Sequence, residues 1–425
     1  LICGRFHFSR QRLNFQVPGT RASEIELCSM RPIELNLFSF KAFGKRFDLF
    51  SRRALATRLR CRNAGLLHHK NRNERPRFPG MSFAQRPAML PKLTRRIIQI
   101  ALRYAHAAVK VFVAALLLSA AATPSVAQTI LRIGHFPNIT HVQALVAHNL
   151  SRQGKGWFEQ RLGPDVKIEW YLYNAGPSAM EAVFAKSIDL TYVGPNPAIN
   201  AYFKSNGQEG RIVAGSAEGG SALVVQADST LKTAADFRGK KIATPQFGNT
   251  QDVAARAWLI KGGLKITQAG GDAQVVPAAN PDQLLLFKQK QIDAVWTVEP
   301  WVSRLEQEAA GKILVNDRDS ITTVLVARAD VLATQRALVR KLVAAHRELT
   351  EWIKTNPTEA QRMAREELEA EMHAKFAPEL VASAWKRIVL TSDVSLDALK
   401  ALISSAQSVG FLRNAPDLSR LVENP

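Results

Sequence analysis

Apolar runs alternate with amphipathic stretches along most of the chain after residue 128. Strands are predicted at Leu131–Gly134, Val166–Tyr171, Leu190–Val193 and Ile212–Ala214, and a second set at Lys241–Thr244, Gln274–Val276 and Ala294–Thr297. Helices are predicted between them, at Val142–Leu150, Ala179–Ala185, Ala198–Phe203, Gln251–Ile260, Gln283–Lys288 and Val302–Ala310. Strands that alternate with helices are typical of parallel sheets covered by helices. The pattern predicts an α/β fold of two lobes, each a mostly parallel sheet covered by helices.

The two sets of elements resemble each other at an offset of 104 residues. Residues 175–189 align without gaps on residues 279–293, and Ala, Pro, Lys, Ile and Asp recur at matching positions. Each copy predicts a loop, a short helix, a polar turn and a buried strand. Open α/β sheets bind ligands at the carboxyl ends of their strands. Two such units facing each other therefore predict a ligand cleft.

Two segments are predicted to cross between the lobes. Gly215–Ser221 is rich in glycine and serine, and Ile321–Arg328 follows the last predicted element of the second set. We expect lobe 1 to consist of residues 128–226 and 323–425, and lobe 2 of residues 227–322. The stretch after residue 335 is predicted to be mostly helical and to complete lobe 1.

A secretory signal peptide is predicted within residues 81–127. Val111–Ala122 is an uncharged apolar run that follows several basic residues, and Ser125-Val126-Ala127 supplies the small residues that signal peptidase requires. The run is about 12 residues long, whereas spanning a bilayer takes roughly 20. We therefore expect cleavage near Ala127 and a periplasmic protein.

The charge of the chain divides at the same point. Residues 1–127 carry a net charge of +18, and residues 128–425 carry only +3. The overall +21 therefore gives no reason to expect nucleic-acid binding. All three cysteines precede residue 62, so the mature part is expected to have no disulfide, thiolate metal site or Cys nucleophile. We expect no fold for residues 1–80, and a translation start at Met81 or Met89.

Four segments of the mature part carry a family resemblance. They are LRIGHFPNITHVQALVA (131–147), GPSAMEAVFAKSIDLTYVGPNPAI (176–199), LKTAADFRGKKIATPQFGNTQD (231–252) and QIDAVWTVEPW (291–301). In their order along the chain they resemble the periplasmic solute-binding proteins of the nitrate, sulfonate and taurine class of ABC importers. The resemblance implies a Venus-flytrap fold, a monomer without cofactor, and a small anionic solute delivered to a permease and its ATPase.

Small or polar residues follow the predicted strands, at the places where helices begin. Helix N-termini present unpaired N–H groups and a partial positive charge, which suit an anion without help from Arg or Lys. Phe136, Trp296 and Trp301 could provide apolar walls, and the alternative for each of these aromatic residues is packing in the core. For any one loop residue, helix capping is the alternative role, as Ser178 with Glu181 illustrates. The candidate ligand-binding residues are Phe136, Asn138, Thr140, Gly176, Ser178, Gly194, Asn196, Ser216, Gly248, Asn249, Thr250, Trp296 and Glu299.

Several alternatives stay open at the level of sequence. Glu299 would repel a sulfonate unless the ligand carries an amine, as taurine does. Alternatively, its carboxylate could interact favourably with the dipole of the helix that follows. His135 could lie on the cleft rim, and neither it nor His141 has metal-ligand spacing, so no metal site is predicted. The mature part lacks common catalytic motifs, which predicts a protein that is not an enzyme. An aliphatic sulfonate is the favoured ligand; nitrate, bicarbonate, a thiamine pyrimidine precursor, and a periplasmic sensor role are the alternatives.

Overall fold

The computed structural model describes residues 90–120, 128–413 and 417–425. Its helices are α1 (Leu90–Ala120), α2 (Val142–Arg152), α3 (Trp157–Leu162), α4 (Gly176–Phe184), α5 (Pro195–Lys204), α6 (Thr250–Lys261), α7 (Asn280–Lys288), α8 (Trp301–Ala309), α9 (Ala329–Thr334), α10 (Arg336–Thr355), α11 (Pro357–Met372), α12 (Pro378–Trp385) and α13 (Leu396–Ser408). Its strands are β1 (Thr129–His135), β2 (Val166–Leu172), β3 (Leu190–Val193), β4 (Arg211–Gly219), β5 (Ser221–Gln226), β6 (Lys241–Thr244), β7 (Ile266–Thr267), β8 (Gly270–Gly271), β9 (Gln274–Pro277), β10 (Ala294–Val298), β11 (Gly311–Asp317), β12 (Ile321–Ala327) and β13 (Ile388–Leu390).

Two sheets form the cores of two lobes. The first has the strand order β13-β4-β12-β3-β1-β2, and the second has the order β11-β5-β10-β6-β9. The predicted α/β fold with two lobes is therefore confirmed. The sheets are mixed, however, and not mostly parallel: β1 pairs in parallel with β2 and β3, and β6 with β9 and β10, whereas the other ladders of these sheets are antiparallel.

The antiparallel ladders arise because the chain crosses between the sheets as extended strand. The first crossing is at Gly219–Gly220, between β4 and β5, and the second joins β11 to β12 through residues 318–320. Both glycines have a φ of 69°, in the left-handed region that other residues rarely adopt. Since β5 pairs with β10 and β11, residues 221–226 belong to the second lobe, and the lobe boundary expected at residue 226 is corrected to Gly220. Likewise β12 is a strand of the first sheet and does not itself cross.

The internal repeat predicted from the sequence is present in the backbone. Helices α4 and α7 begin and end at positions 104 residues apart. Lys186 and Lys290, in the turns that follow, have positive φ angles of 57° and 56°. The next acidic residue in each copy accepts a backbone N–H from a neighbouring parallel strand, Asp189 from Arg132 of β1 at 2.8 Å and Asp293 from Lys241 of β6 at 2.8 Å.

Helix α1 lies in the part of the chain predicted to be a signal peptide. Its segment Thr94–Ala114 is long and apolar enough to cross a membrane, and a signal sequence has the same properties. The described side chains of this segment are exposed. The predicted cleavage site at residues 125–127 lies outside the described residues, as do residues 1–80, Met81 and Met89.

Candidate functional site

A narrow cleft lies between the carboxyl ends of strands from both sheets. Its empty space is about 360 Å³, part of it open to solvent. The cleft is bordered by loops that follow β1, β2 and β3 of the first lobe and β6, β9 and β10 of the second. Its lining residues are Phe136, Asn138, Thr140, His141, Asn174, Ala175, Gly176, Gly194, Pro197, Pro245, Asn249, Thr250, Gln251, Asn280, Val298 and Thr322.

Four helices begin at this cleft, namely α4, α5, α6 and α7. Three of them carry proline in their first two positions, which removes a backbone N–H there. Helix α6 has no proline at its start. Its first residues, Thr250 and Gln251, therefore present N–H groups that have no partner within the helix. The N-terminus of α6 thus presents two consecutive backbone donors at the cleft.

A short network of hydrogen bonds fixes the turn that leads into α6. The Oδ1 atom of Asn249 accepts the N–H of Asp252 at 2.8 Å and so caps the helix. The carboxylate of Asp252 accepts the N–H of Gly248 at 2.9 Å and Arg256 Nε at 3.1 Å. The Thr250 hydroxyl is buried and has no hydrogen-bond partner among the described residues. Buried polar groups are normally paired, so this hydroxyl is a candidate to bind a ligand.

The first lobe contributes an oriented amide to the opposite side of the cleft. Trp301 Nε1 in the second lobe donates to Asn138 Oδ1 at 3.2 Å. Because the carbonyl oxygen of this side chain is occupied, its NH₂ group is the part available as a donor to a ligand. Asn138 thus faces the cleft as a hydrogen-bond donor.

His141 lines the cleft as a neutral imidazole. Burial, with a smaller contribution from His135, lowers the pKa of His141 well below its usual value. The backbone N–H of Phe136 donates to His141 Nδ1 at 3.4 Å, which leaves Nε2 to carry the proton of the neutral ring. None of the lining residues described above has a permanently charged side chain. The cleft therefore offers neutral donors.

The two lobes contact each other around this cleft. A Cβ atom added to Gly194 would lie 2.4 Å from Thr250 Oγ1, so the backbone of α5 and the side chain of α6 approach closely. Phe247 and Phe411 pack edge to face with ring centroids 4.9 Å apart, and Gln268 Nε2 donates to the Gly410 carbonyl at 2.8 Å. These contacts describe a closed arrangement of the lobes.

Seven of the thirteen candidate residues line the cleft. They are Phe136, Asn138, Thr140, Gly176, Gly194, Asn249 and Thr250. The structure brings these residues together from both lobes. Their contact with a ligand remains a prediction.

Three further candidates do not line the cleft: two are serines whose hydroxyl groups are hydrogen-bonded within the first lobe, and the third is a glycine. Ser178 lies within the first turn of α4, where its hydroxyl donates to the Ala175 carbonyl at 2.8 Å, so it is not the N-cap of a capping box. Ser216 is buried in β4 and donates to Gln143 Oε1 at 2.7 Å. Gly248 has a φ of 75° and lies against Phe411, outside the cleft.

Asn196 and Trp296 border a different groove, behind the start of α6. Asn196 is fully buried, and neither of its amide atoms has a partner in the described part of the chain. Trp296 packs in the core of the second lobe against Trp258, and its Nε1 donates to Ser221 Oγ at 3.1 Å. Trp296 therefore does not line the cleft and takes the alternative role of a core residue, because β10 directs this side chain into its own lobe.

Glu299 does not line the cleft. Its fully buried carboxylate pairs with Arg387 Nη1 at 2.6 Å and accepts the N–H and hydroxyl of Ser303, each at 3.1 Å. Ser303 lies in the first turn of α8, so the interpretation of Glu299 as a partner of the following helix N-terminus agrees with these contacts. Burial raises the pKa of Glu299, although Arg387 opposes the rise. His135, expected on the rim, is fully buried and is not a lining residue.

Sequence reasoning missed several lining residues. Gln251 directly follows two predicted ones, and Asn280 is the counterpart of Gly176 in the internal repeat, so both could have been inferred. Thr322 lies at the start of β12, directly after the second crossing, and carries no local signal of its own. The other missed lining residues are His141, Asn174, Ala175, Pro197, Pro245 and Val298.

The chain matches a known protein family. The family described as NMT1-like matches residues 125–366, which is more than half of the chain. A binding protein of Brucella abortus (strain 2308) is 27% identical over 210 residues, which are 48% of this chain and 61% of that protein. An Escherichia coli K12 protein named for binding aliphatic sulfonates is 29% identical over 157 residues, 37% of this chain and 47% of that protein. The chain thus spans less than two thirds of these curated relatives.

A solved structure shares the fold. The alkanesulfonate-binding protein of Xanthomonas axonopodis pv. citri, bound to MOPS, superposes with a TM-score of 0.58 at 20% identity, over 70% of this chain and 99% of that one. At this identity the likeness shows the two-lobed binding-protein fold. The resemblance found in the sequence is confirmed for family and fold.

Proposed function

Because the chain belongs to the NMT1-like family, we propose that it is the solute-binding component of an ABC importer. It captures a small organic anion between its lobes, and an aliphatic sulfonate is the favoured ligand. The function is binding without catalysis. The observation that carries this proposal is the cleft at the start of α6, where N–H groups and the Thr250 hydroxyl that lack a partner in the described part of the chain face the opposite lobe.

A sulfonate head suits this set of neutral donors. It carries one negative charge spread over three oxygen acceptors, and helix N-termini stabilise such charge through N–H groups and the helix dipole. The Asn138 amide and the neutral ring of His141 add donors from the first lobe. Phe136 and Val298 provide apolar surface for a short alkyl tail. Since Lys and Arg are absent from the described lining, a doubly charged anion would be held less well.

Taurine is a poorer fit than an uncharged alkyl sulfonate. An ammonium group in the cleft would need a carboxylate or a ring of acceptors. Glu299 was the one acidic candidate, and its carboxylate is committed to Arg387 and Ser303. We therefore expect alkanesulfonates to bind more tightly than taurine.

The cellular setting of this proposal follows from the N-terminal segment and the family. Helix α1 has the apolar character of a signal sequence, so we propose export to the periplasm with cleavage near Ala127. The partners are an inner-membrane permease and its ATPase, and the protein acts as a monomer. A sensor role would replace the permease by a receptor; a permease and an ATPase gene beside this one would favour import.

A thermal-shift panel with the purified protein tests the ligand class. The compounds are ethanesulfonate, taurine, nitrate, bicarbonate and an aminopyrimidine. A ligand at 100 times its Kd should stabilise the native state by about 2.7 kcal/mol. We expect the largest rise in melting temperature with ethanesulfonate. A rise only with nitrate, bicarbonate or the pyrimidine would replace the sulfonate by that ligand, and no rise with any compound would contradict the proposed class.

A further inference from the structure

Two histidines and two glutamates that are far apart in the sequence meet inside the first lobe. His135 ends β1, His148 lies on α2, and Glu367 and Glu371 lie one turn apart on α11. We call these four residues the His–Glu cluster. None of them lines the ligand cleft. The solute-binding function therefore leaves this cluster without a role.

The polar atoms of His135, His148 and Glu371 converge on one point, and Glu367 contacts this group through His148. His135 Nε2 lies 3.2 Å from His148 Nδ1 and 3.1 Å from Glu371 Oε1. His148 Nδ1 lies 3.0 Å from Glu371 Oε1 and 2.9 Å from Glu367 Oε1. The potential ligand atoms of His135, His148 and Glu371 all lie within 4.8 Å of one another.

Hydrogen bonds alone do not account for these contacts. A ring nitrogen carries at most one hydrogen, yet His148 Nδ1 has three polar atoms within 3.2 Å. When both glutamates are ionised, both ring nitrogens must donate to them, and the contact between the two nitrogens is then left without an acceptor. In a tetrahedral zinc site with bonds of 2.0–2.2 Å, neighbouring ligand atoms lie roughly 3.3–3.6 Å apart. The observed separations of 2.9–3.2 Å are somewhat shorter, so the side chains would move apart slightly to bind the ion.

Burial and charge also favour a cation. The side chains of Glu367 and Glu371 are fully buried, and the Oε2 atom of each has no partner among the described residues. Arg152 Nε donates to Glu367 Oε1 at 2.7 Å, and so neutralises one carboxylate. Buried carboxylates are costly unless they are paired or bind a metal. A divalent cation at the point of convergence would supply the missing positive charge.

The surroundings match those of a metal-bound histidine. His135 Nδ1 lies 3.4 Å from the Phe136 carbonyl, a position from which it can donate and leave Nε2 free to bind a metal. Trp170 stacks on His148 with centroids 5.2 Å apart and packs edge-on against His135 at 5.4 Å. This apolar side shields the cluster from bulk water.

We propose that the His–Glu cluster binds one Zn²⁺ ion through His135, His148 and Glu371, with Glu367 beside them as the acceptor of Arg152. Two imidazoles with a carboxylate favour Zn²⁺ over Ca²⁺ or Mg²⁺, which prefer oxygen ligands. Water would complete the four ligands of a tetrahedral site. The ion ties β1 and α2 to α11, and since His135 precedes Phe136, it also anchors the first loop of the solute cleft.

The alternative explanation for these short contacts is a proton on His148 that is shared with Glu367 and Glu371. Burial opposes protonation of His148, but its hydrogen bonds to Glu367 and Glu371 outweigh that effect and raise its pKa. A protonated His148 would then neutralise part of the cluster without any metal. The two accounts differ in metal content, which can be measured directly.

The test uses the full chain, purified without chelator, and Zn²⁺ as the probe. Elemental analysis should find about one zinc per chain, and Zn²⁺ added back to stripped protein at 100 times its Kd should raise the melting temperature by roughly 5 °C or more. Co²⁺ in place of Zn²⁺ should give the visible absorption of a tetrahedral site. The near-isosteric variant Glu371→Gln should weaken Zn²⁺ binding by at least about 10-fold.

His373→Ala is the matched control, because His373 is an exposed histidine directly after α11. This variant should bind Zn²⁺ like wild type. Folded wild-type protein that contains no zinc and does not respond to added Zn²⁺ would overturn the proposal in favour of the shared proton. Equal Zn²⁺ affinity in Glu371→Gln and wild type would overturn it as well. If Glu371→Gln fails to fold, the Co²⁺ spectrum of wild type decides between the two accounts.

Discussion

The carboxylate of Glu299 and the guanidinium of Arg387 form an ion pair of 2.6 Å between the two lobes. Glu299 follows β10 of the second sheet, and Arg387 precedes β13 of the first. The N–H of Glu299 also donates to the Gly220 carbonyl at 2.8 Å, beside the first crossing. The pair therefore lies where the lobes meet at the base of the cleft.

Replacement of Arg387 by methionine should destabilise the protein strongly. The change leaves the fully buried Glu299 carboxylate without its cation, and breaking a buried pair in this way costs about 3–5 kcal/mol. The free energy of unfolding in urea measures the loss. The double variant Glu299→Gln/Arg387→Met should lose less than the sum of the single changes.

A surface ion pair provides the control for this change. Lys400 and Asp397 form an exposed pair on α13, so Lys400→Met should change stability by less than about 1 kcal/mol. A similarly small effect of Arg387→Met would contradict the role assigned to the buried pair.

Replacement of Gly194 by alanine should hinder lobe closure without disturbing either lobe. Gly194 has a φ of −63°, which alanine adopts freely, but its Cβ would lie 2.4 Å from Thr250 Oγ1 in the opposite lobe. Overpacking of this kind costs about 1–3 kcal/mol, and 1.4 kcal/mol is tenfold in affinity. We expect ligand affinity to fall by about 10-fold and small-angle scattering to show a more open protein with ligand. Wild-type affinity in this variant would argue against the closed arrangement.

The stability of the protein should fall as the pH drops from 6.5 to 4, in part because of His346. This residue is fully buried; its Nε2 lies 2.8 Å from the Gly215 carbonyl and its Nδ1 lies 2.9 Å from the Tyr192 hydroxyl. Burial lowers its pKa to about 4. The unfolded state then binds a proton at a higher pH than the folded state, so stability is full above pH 6.5 and is lost toward pH 4.

The variant His346→Gln isolates this contribution. Between pH 7 and pH 5 the wild-type histidine should account for roughly 2 kcal/mol of lost stability. The difference between the free energies of unfolding at the two pH values should shrink by about that amount in the variant. An unchanged difference would show that His346 does not contribute to the pH dependence.

Short buried strands were predictable from the sequence, whereas the crossing strands were not. Leu190–Val193 and Lys241–Thr244 match β3 and β6 to the residue, because each apolar run is short and bounded by polar or turn residues. Ser221–Gln226 and Ile321–Ala327 were interpreted as linking segments or were missed. They pair antiparallel with strands distant in the sequence, and no local periodicity reports that pairing.

The part of the cleft that a single loop forms was predictable from the sequence. The loop around Asn249 and Thr250 follows a buried strand and opens a helix, so its position at the strand end was evident. The ion pair of Glu299 could not be predicted, because its partner Arg387 is 88 residues away in the sequence. The His–Glu cluster escaped for the same reason: His135 and Glu371 are brought together only by the packing of α11 on the first lobe.

The hydroxyl of Thr250 gives the most direct test of the account. Calorimetric titration with ethanesulfonate should be compared for wild type, Thr250→Val and the control Thr358→Val, an exposed threonine near the start of α11. Loss of one hydrogen bond to a charged ligand costs about 1.5–3 kcal/mol. We predict that Thr250→Val weakens binding by at least about tenfold while Thr358→Val binds like wild type. Equal affinities in all three proteins would contradict the cleft as the ligand site.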